Sequence, residues 1–131
     1  MIVDFGTAVT HDIVSAGGEY LGGVIFPGVE ISLEALSDRA AALPRIDLVE
    51  PRSLVGKSTV DAIRSGMIFG YAAMVDGIVG RLRDELGAET RAIATGGLAH
   101  TVVPFCDSLD EVDDLLTLTG LRLIWERNRH A

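Results

Sequence analysis

The sequence predicts an α/β domain in which a three-stranded antiparallel unit is followed by helices and one further strand. Three observations support this prediction. Residues 2–26 alternate in polarity with a period of two and are interrupted by glycine turns. Residues 60–82 carry apolar side chains at intervals of three or four, which is typical of a long helix. Residues 90–94 form a short apolar run that leads into a double glycine.

Length and composition indicate one globular domain with one core. The chain has 131 residues, of which 48% are hydrophobic and 23% are charged. A domain of this size buries roughly two-thirds of the surface that its unfolded chain exposes. The formal net charge is −8 and Lys57 is the only lysine, so the surface is poorly suited to a phosphate backbone. We therefore expect no nucleic-acid partner.

The sequence also bears on location and redox chemistry. No apolar run approaches the roughly 18 residues of a membrane span. The N-terminus lacks the basic region and apolar core of a signal peptide. We expect a cytoplasmic protein without membrane association. Cys106 is the only cysteine, which excludes an intrachain disulfide and a cysteine metal cluster, and it is expected to be an inert thiol.

The first turn of the chain carries the first candidate site. Asp4 follows the apolar residues Ile2-Val3 at the end of the first strand. The turn at Gly6-Thr7 places Asp4 and Thr7 close together at the same end of the strand pair. A glycine turn lets backbone N–H groups approach a phosphate, the threonine hydroxyl adds a donor, and the acid can hold a cation. An ordinary hairpin in which both side chains satisfy turn amides explains the same pattern equally well.

The next two strands are expected at Val9–Ser15 and Tyr20–Phe26. The third strand contains Gly22-Gly23, which suggests a close neighbour, and it ends at Pro27-Gly28. His11 has no partner at metal-ligand spacing, so we expect it to be structural.

An amphipathic helix is predicted from Val29 to Leu43, where Pro44 stops it. A connector with a short edge strand is expected over residues 45–53. A helix of about eight turns then begins near Ser58 or Thr59, either of which can cap its N-terminus. The preceding Gly56-Lys57 lacks the earlier glycine and the strand of a P-loop, so that assignment is rejected. The helix N-terminus remains suited to a polar or anionic ligand.

Small residues recur at helical spacing along this long helix. This small-residue stripe consists of Gly66, Gly70, Ala73, Gly77 and Gly80. Each interior glycine costs about 0.8–1 kcal/mol relative to alanine, so another backbone is expected to approach closely. The approaching backbone could belong to the closing helix of the same chain, predicted near Leu118 to Trp125, or to a second subunit. We favour the second subunit, that is, a homodimer.

The remaining segments contain a second candidate site. A strand at residues 90–94 runs into Gly96-Gly97, and a helix follows until Pro104. Strand, double glycine and helix form a turn that can accept a nucleotide, although such turns are common. Residues 107–114 are expected to be a solvated acidic loop. The closing helix is expected to present one apolar face, made of Leu118, Leu121, Ile124 and Trp125.

Taken together, six stretches resemble the C-terminal half of type III pantothenate kinases in order and spacing along nearly the whole chain. They are Asp4-Phe5-Gly6-Thr7-Ala8, Gly18 to Gly23 with Pro27-Gly28, Leu43-Pro44, Gly56-Lys57-Ser58-Thr59, Thr95 to Ala99, and Leu116 to Leu121. The resemblance implies that residues 1–131 form a single C-terminal-type lobe with the ribonuclease-H-like fold of actin-like ATPases.

The resemblance also implies a function. Members phosphorylate pantothenate to 4'-phosphopantothenate in the first step of coenzyme A biosynthesis, and they use ATP, Mg²⁺ and a monovalent cation, K⁺ or NH₄⁺. A non-catalytic dimerisation or regulatory module, like members known as Bvg accessory factors, is the alternative. A sugar or acyl kinase of the same superfamily is a third hypothesis, against which the Gly-Lys before Thr59 argues.

Matching the motifs residue by residue assigns six positions. They are Asp4 as the monovalent-cation ligand, Gly6 and Thr7 as ATP-phosphate contacts, Gly96 and Gly97 as the adenosine turn, and Thr59 as the pantothenate contact. The sequence departs from the family pattern at Val9, His11 and Ser58, where Thr, an apolar residue and Asn are usual.

The largest departure is the absence of the family's N-terminal half. That half carries an Asp-x-Gly-Asn-Thr phosphate loop and a Gly-x-Asp-Arg stretch with the catalytic aspartate, and neither occurs in these 131 residues. No catalytic residue is therefore assigned here. Phosphoryl transfer needs in-line positioning, a metal and a base, so we expect the chain to be inactive without an N-terminal lobe, supplied in cis or in trans.

Overall fold

The strand β1 (Ile2–Phe5) lies at the centre of a five-stranded mixed sheet in the computed structural model, which describes residues 1–40 and 43–129. The other strands are β2 (Ala8–Val14), β3 (Tyr20–Pro27), β4 (Ile93–Thr95) and β5 (Glu111–Val112). The strand order is β3-β2-β1-β4-β5. Strand β2 runs antiparallel to β1 and β3, whereas β4 runs parallel to β1 and β5. The α/β class and the N-terminal antiparallel unit are confirmed.

One face of the sheet forms the core. The register pairs Val3 with His11 and Phe5 with Val9, and all four side chains are buried. Because side chains alternate between the two faces of a strand, their shared orientation follows from the period-two pattern. The helices α1 (Val29–Arg39) and α2 (Thr59–Leu86) contribute further core residues, including Val29, Ile68 and Val75.

Helix α1 is shorter than the predicted Val29–Leu43. It ends at Arg39, and Ala40 adopts an extended conformation with φ −110° and ψ 91°. Residues 41 and 42, which the prediction also covered, lie outside the described residues. The chain then folds back along α1, because Arg45 Nη2 donates to Asp38 Oδ1 at 2.7 Å. The extended Ala40 marks the end of the helix, before Pro44 is reached.

The connector between α1 and α2 packs on the first turns of α2. Arg64 Nε donates to the Asp47 carbonyl at 3.1 Å, and the Ser65 hydroxyl donates to the Leu54 carbonyl. The predicted short edge strand over residues 45–53 does not form in the described chain. Tertiary contacts with α2 take the place of strand pairing in this segment.

Helix α2 is the long helix that the sequence predicts. Its inner face includes Ile68, Val75 and Val79, which are fully buried. Among the described residues it is also the one helix that is long and apolar enough to cross a membrane by length and composition, which the sequence analysis did not anticipate. The buried inner face is the property of a core helix, and such helices often pass this test.

The small-residue stripe lies on the opposite, exposed side of α2. A β-carbon built on any of its four glycines meets no atom of the described chain within 4 Å. The alternative in which the stripe packs against the closing helix is therefore wrong. The expected second subunit stays a prediction.

The C-terminal segments differ from the prediction in two ways. Strand β4 is followed by the short helix α3 (Ala99–Val102) and a 3₁₀ turn at Val103–Phe105, and β5 then forms inside the acidic segment predicted to be a loop. That segment is held in place because Asp110 Oδ2 accepts a hydrogen bond from Ala92 N at 2.7 Å. The closing helix α4 (Leu116–Asn128) has its apolar face exposed, and none of its residues is buried.

Candidate functional site

The carboxyl ends of the parallel strands β1 and β4 bring Asp4 and Gly96 together. Asp4 pairs with Thr95 in the strand register, so Gly96 follows directly beside it. Gly96 has φ +99°, and a β-carbon there would collide with Asp4 Oδ1 and lie 2.6 Å from Phe5 N. Only glycine fits this position, and the backbone at Gly96 closes over the Asp4 carboxylate.

The turn between β1 and β2 lies at the same edge. Gly6 N donates to the Ala8 carbonyl at 3.1 Å, and a β-carbon on Gly6 would lie 3.3 Å from Asp4 Oδ1. The Thr7 carbonyl accepts a hydrogen bond from Gly28 N at 3.1 Å. The turn is thereby fixed against the start of α1, while Gly6 and Thr7 remain exposed.

A buried tyrosine holds these elements in position. The Tyr71 hydroxyl lies 2.8 Å from the Pro27 carbonyl, to which it donates, and 2.6 Å from Ser32 Oγ, which can donate to it in turn. Tyr71 thus ties α2 to the end of β3 and to α1. In the sequence, Tyr71 counted only as one of the regularly spaced apolar residues of the long helix over residues 60–82. A hydrogen bond from Tyr71 to a neighbouring element could have been predicted, because a buried tyrosine hydroxyl usually has a partner.

Gly97 differs from Gly96. It is exposed, and a β-carbon on Gly97 meets no atom within 4 Å. The turn itself is held by Leu98 N, which donates to the Phe5 carbonyl at 3.2 Å, and by Ala99 N, which donates to the Gly96 carbonyl at 3.1 Å. The structure therefore requires glycine at position 96 and leaves an open surface at position 97.

Asp4 is a half-buried carboxylate outside every ion pair of the described residues. In that part of the chain no group of three or more His, Cys, Asp or Glu side chains is arranged to hold a metal ion. Asp4 could supply one oxygen ligand to a hard cation. The remaining ligands would then come from carbonyl oxygens, water or a bound phosphate.

Thr59 is separate from this cluster. It is the first residue of α2 and is exposed, and Ser58 caps the helix by accepting a hydrogen bond from Asp61 N at 3.1 Å. Tyr71 lies near the edge of the sheet and comes twelve residues after Thr59. At the rise of an α-helix, Thr59 therefore lies roughly 18 Å further along the helix axis than Tyr71. Because Leu86 at the other end of α2 lies with Met1 at the opposite edge, Thr59 projects beyond the edge that carries Asp4.

The edge that carries Asp4 is open rather than enclosed. A cavity of about 690 Å³ lies at the opposite edge, where Met1, Leu21 and Leu86 line it. Another, of about 370 Å³, lies between α1 and the connector. Neither is lined by Asp4 or Gly96. Gly6, Thr7 and Gly97 are exposed at the edge with Asp4, so a ligand held there by this chain alone would remain in contact with solvent.

Two residues set aside in the sequence have no role at this edge. His11 is fully buried, both of its ring nitrogens lack a hydrogen-bond partner in the described structure, and desolvation lowers its pKa. Cys106 is half-buried, and burial raises the pKa of its thiol to about 12. A raised pKa leaves little of the reactive thiolate, which agrees with the expectation of an inert thiol.

Comparison with known proteins gives a consistent result. A family described as type III pantothenate kinase matches residues 1–81. A type III pantothenate kinase from Frankia alni is 56% identical over 98% of this chain and 51% of its own length. The corresponding proteins from Acidothermus cellulolyticus and Koribacter versatilis are 52% and 54% identical, over 98% and 97% of this chain.

A solved structure is also similar. It is a Campylobacter jejuni protein named as a Baf family transcriptional activator, with a TM-score of 0.63 and 26% identity, covering 99% of this chain and 58% of that protein. The chain spans about half the length of the curated relatives it matches and corresponds to their C-terminal half.

Proposed function

Because the chain belongs to the type III pantothenate kinase family, we propose that it is the C-terminal lobe of an enzyme that transfers a phosphoryl group from ATP to pantothenate. The product is 4'-phosphopantothenate, and the reaction opens coenzyme A biosynthesis. The proposal is carried by one observation: Gly96, which is far away in sequence, meets Asp4 and Gly6 at the carboxyl ends of two parallel strands. Ligands of open α/β sheets bind at such an edge.

In this proposal ATP lies across the edge. The exposed Gly6-Thr7 turn contacts its phosphates through N–H groups and the threonine hydroxyl. The Gly96-Gly97 turn carries the adenosine, since position 97 leaves an open surface. Asp4 contributes a carboxylate oxygen to a monovalent cation, K⁺ or NH₄⁺, and Mg²⁺ accompanies the nucleotide phosphates.

Thr59 is proposed to contact pantothenate. Its hydroxyl and the free N–H groups of the first turn of α2 suit the carboxylate of that substrate. The direction of α2 supports this role, because its N-terminus projects toward the edge of the sheet that carries Asp4, whereas Leu86 at its C-terminus lies with Met1 at the opposite edge. The roughly 18 Å of helix between Tyr71 and Thr59 leaves room for an extended acceptor beyond the edge of the sheet.

Catalysis in this proposal requires the other half of the relatives' chain. The motifs that supply the catalytic aspartate and the first phosphate loop are not found in these residues, and the edge that would hold ATP is open. A second ribonuclease-H-like lobe facing this edge would exclude water and bring the base to the pantothenate hydroxyl. This chain covers 58% of the similar Campylobacter jejuni protein, which is therefore long enough to contain a further lobe.

An acceptor assay tests the proposal. The chain is joined to the N-terminal half of the Frankia alni relative and is given ATP, Mg²⁺ and K⁺ with pantothenate, glycerol, hexoses or acetate. Phosphorylation of pantothenate alone is expected, and a Thr59→Val variant should raise KM for pantothenate more than it lowers kcat. Transfer to a sugar or to acetate in preference to pantothenate would contradict the proposal.

A second candidate function is a non-catalytic regulatory or dimerisation module. The name of the Campylobacter jejuni protein favours it. With a net charge of −8, such a module would act through protein contacts rather than by binding DNA directly. A joined protein that folds and binds a second copy but phosphorylates no acceptor would favour this function over the kinase.

A homodimer and a cytoplasmic location complete the proposal. The exposed small-residue stripe of α2 supports the dimer, because a helix with little side-chain bulk allows another backbone to approach. The metabolic role of the relatives supports the location.

A further inference from the structure

The backbone at Gly28, directly before α1, packs against the exposed Gly6-Thr7 turn. A β-carbon built on Gly28 would collide with the Thr7 carbonyl and would lie 2.7 Å from the Gly6 carbonyl oxygen. Gly28 N also donates to the Thr7 carbonyl at 3.1 Å. Position 28 therefore has to be glycine, and the position of the turn depends on that of Gly28.

This packing sets the direction of an N–H group in the turn. The Gly6 carbonyl oxygen faces Gly28, and the peptide bonds of the described chain are trans. In a trans peptide the N–H group points opposite to the carbonyl, so Thr7 N–H points away from Gly28. Because Thr7 is exposed, this donor is open to a ligand at the edge that carries Asp4.

The Tyr71 hydroxyl holds the same backbone from α2. It donates between the Pro27 carbonyl at 2.8 Å and the Gly28 carbonyl at 3.1 Å. Because its proton is used in this way, Ser32 Oγ, 2.6 Å away, is the donor to the Tyr71 oxygen. Tyr71 is 6% exposed, and its ring packs edge-to-face on Phe26 at 5.8 Å between centroids. The hydroxyl is thus satisfied as donor and as acceptor, on backbone that adjoins the turn.

We infer that Tyr71 is a positioning residue for ATP, whose hydroxyl acts through Pro27 and Gly28 to hold the Gly6-Thr7 turn in place. The inference rests on the proposed function, which puts the ATP phosphates at this turn. Tyr71 itself is buried and does not contact the nucleotide. Hydrogen bonds weaken steeply when their distance or angle departs from the optimum. A turn released from Gly28 should therefore bind the phosphates less tightly, even in a chain that stays folded.

Tyr71→Phe tests the inference in the chain joined to the N-terminal half of the Frankia alni relative, because it removes the hydroxyl and keeps the ring. Loss of one hydrogen bond should raise Kd and KM for ATP roughly three- to tenfold and leave KM for pantothenate unchanged. Calorimetry without an acceptor measures the Kd, and steady-state rates measure the KM values. The matched control is Tyr20→Phe. Tyr20 is 66% exposed and bonds to Asp12 near the other end of β3, so its variant should change neither constant.

The two KM values separate positioning from a merely structural role. A tyrosine that only stabilises the fold would lower kcat through the folded fraction and would leave both KM values unchanged. Thermal unfolding of each variant checks that the fold is retained. An unchanged Kd for ATP in folded Tyr71→Phe would overturn the inference, as would equal rises in the two KM values or the same effect in Tyr20→Phe.

Ser32→Ala provides a second variant that acts on the same hydroxyl. It removes the donor to the Tyr71 oxygen and should raise the Kd for ATP by a smaller factor than Tyr71→Phe. The control is Ser37→Ala on the same helix, where the hydroxyl donates to the Pro44 carbonyl, and it should have no effect on the Kd. If Tyr71→Phe does not fold, Ser32→Ala decides the question by the same criteria.

A double-variant cycle tests whether Tyr71 acts through the turn. Thr7→Ala and Tyr71→Phe together should raise KM for ATP by less than the product of their separate factors, because both act on the same phosphate contact. Factors that simply multiply would overturn the inference.

The acceptor results separate this inference from the proposed function. A joined protein whose ATP affinity depends on Tyr71 but which prefers another acceptor would support the positioning role and contradict the pantothenate kinase. Phosphorylation of pantothenate with an ATP affinity that is insensitive to Tyr71→Phe would do the reverse. A joined protein that binds no ATP would overturn both.

Discussion

Gly96 lies so close to Asp4 that a β-carbon at position 96 would collide with the Asp4 carboxylate. The contact joins two candidate residues that are far apart in sequence, and it couples the proposed cation ligand to the proposed adenosine turn. It also fixes the conformation of Gly96, whose φ is +99°.

Replacement of Gly96 by alanine should therefore be costly. The substitution adds backbone strain of about 1–3 kcal/mol to the collision, so the free energy of unfolding should fall by at least that amount. Urea unfolding measures the loss. The matched control is Gly97→Ala, which adds the same methyl group where nothing lies within 4 Å, and it should change stability much less. Equal effects at the two positions would show that the contact with Asp4 is unimportant.

Asp4→Asn should weaken cation binding in the joined, two-lobed protein. Loss of one carboxylate charge weakens a site for a hard cation, and ATP binding should weaken with it. The expected result is a higher K⁺ concentration for half-maximal activity, with partial rescue when K⁺ is raised. Steady-state rates at several K⁺ concentrations measure it. Unchanged activity at low K⁺ would mean that Asp4 is a turn residue only.

Replacement of His11 should stabilise the chain. Both of its ring nitrogens are buried without a hydrogen-bond partner, and an unsatisfied buried polar group costs about 1–3 kcal/mol. His11→Leu removes that cost at similar volume and should raise the free energy of unfolding by about 1–2 kcal/mol. The control is His100→Gln at an exposed histidine, which should have a smaller effect. A destabilised His11→Leu chain would indicate a partner for the imidazole.

The same histidine predicts a pH dependence. Burial lowers its pKa below the ordinary value of 6.5, so below pH 6.5 the unfolded chain binds a proton that the folded chain does not. The stability that depends on neutral His11 is therefore fully present above pH 6.5 and is lost as the pH falls toward the folded pKa. Unfolding curves between pH 7.5 and 5 should show this loss, and His11→Leu should reduce it.

The small-residue stripe predicts how copies of the chain associate. Gly70→Leu or Gly77→Leu should leave the fold intact, because each new side chain enters open space. If the stripe is the contact, either variant should convert a dimer into a monomer by light scattering. Glu34→Leu adds a leucine at an exposed position of α1 and should not. Dimers that persist in both stripe variants would place the contact elsewhere.

The elements predicted correctly are those that local periodicity defines. The three N-terminal strands and α2 each have enough residues for a period to be read, and Ser58 caps α2 as expected. Strand β5 was missed because two residues carry no period. The end of α1 was missed because Ala40, an alanine with good helix propensity, adopts an extended conformation that the local pattern does not reveal.

The candidate site was predicted only in part, because local sequence patterns do not reveal tertiary contacts. The turn chemistry at Asp4 and Gly6 is local and could be read from the sequence. The approach of Gly96 to Asp4 depends on parallel pairing of β1 and β4, which no local pattern reveals. The exposure of the apolar residues of α4, Leu118, Leu121, Ile124 and Trp125, is a matter of tertiary packing, which their helical spacing does not reveal.

The central claim is that this chain is one lobe of a pantothenate kinase and needs the other lobe for catalysis. The most direct test is the formation of 4'-phosphopantothenate, followed by mass spectrometry, in three samples: the chain alone, the N-terminal half of the Frankia alni relative alone, and the two together. We expect product only when both halves are present. Robust phosphorylation by the 131-residue chain alone, or none when the two halves form a stable complex, would contradict the claim.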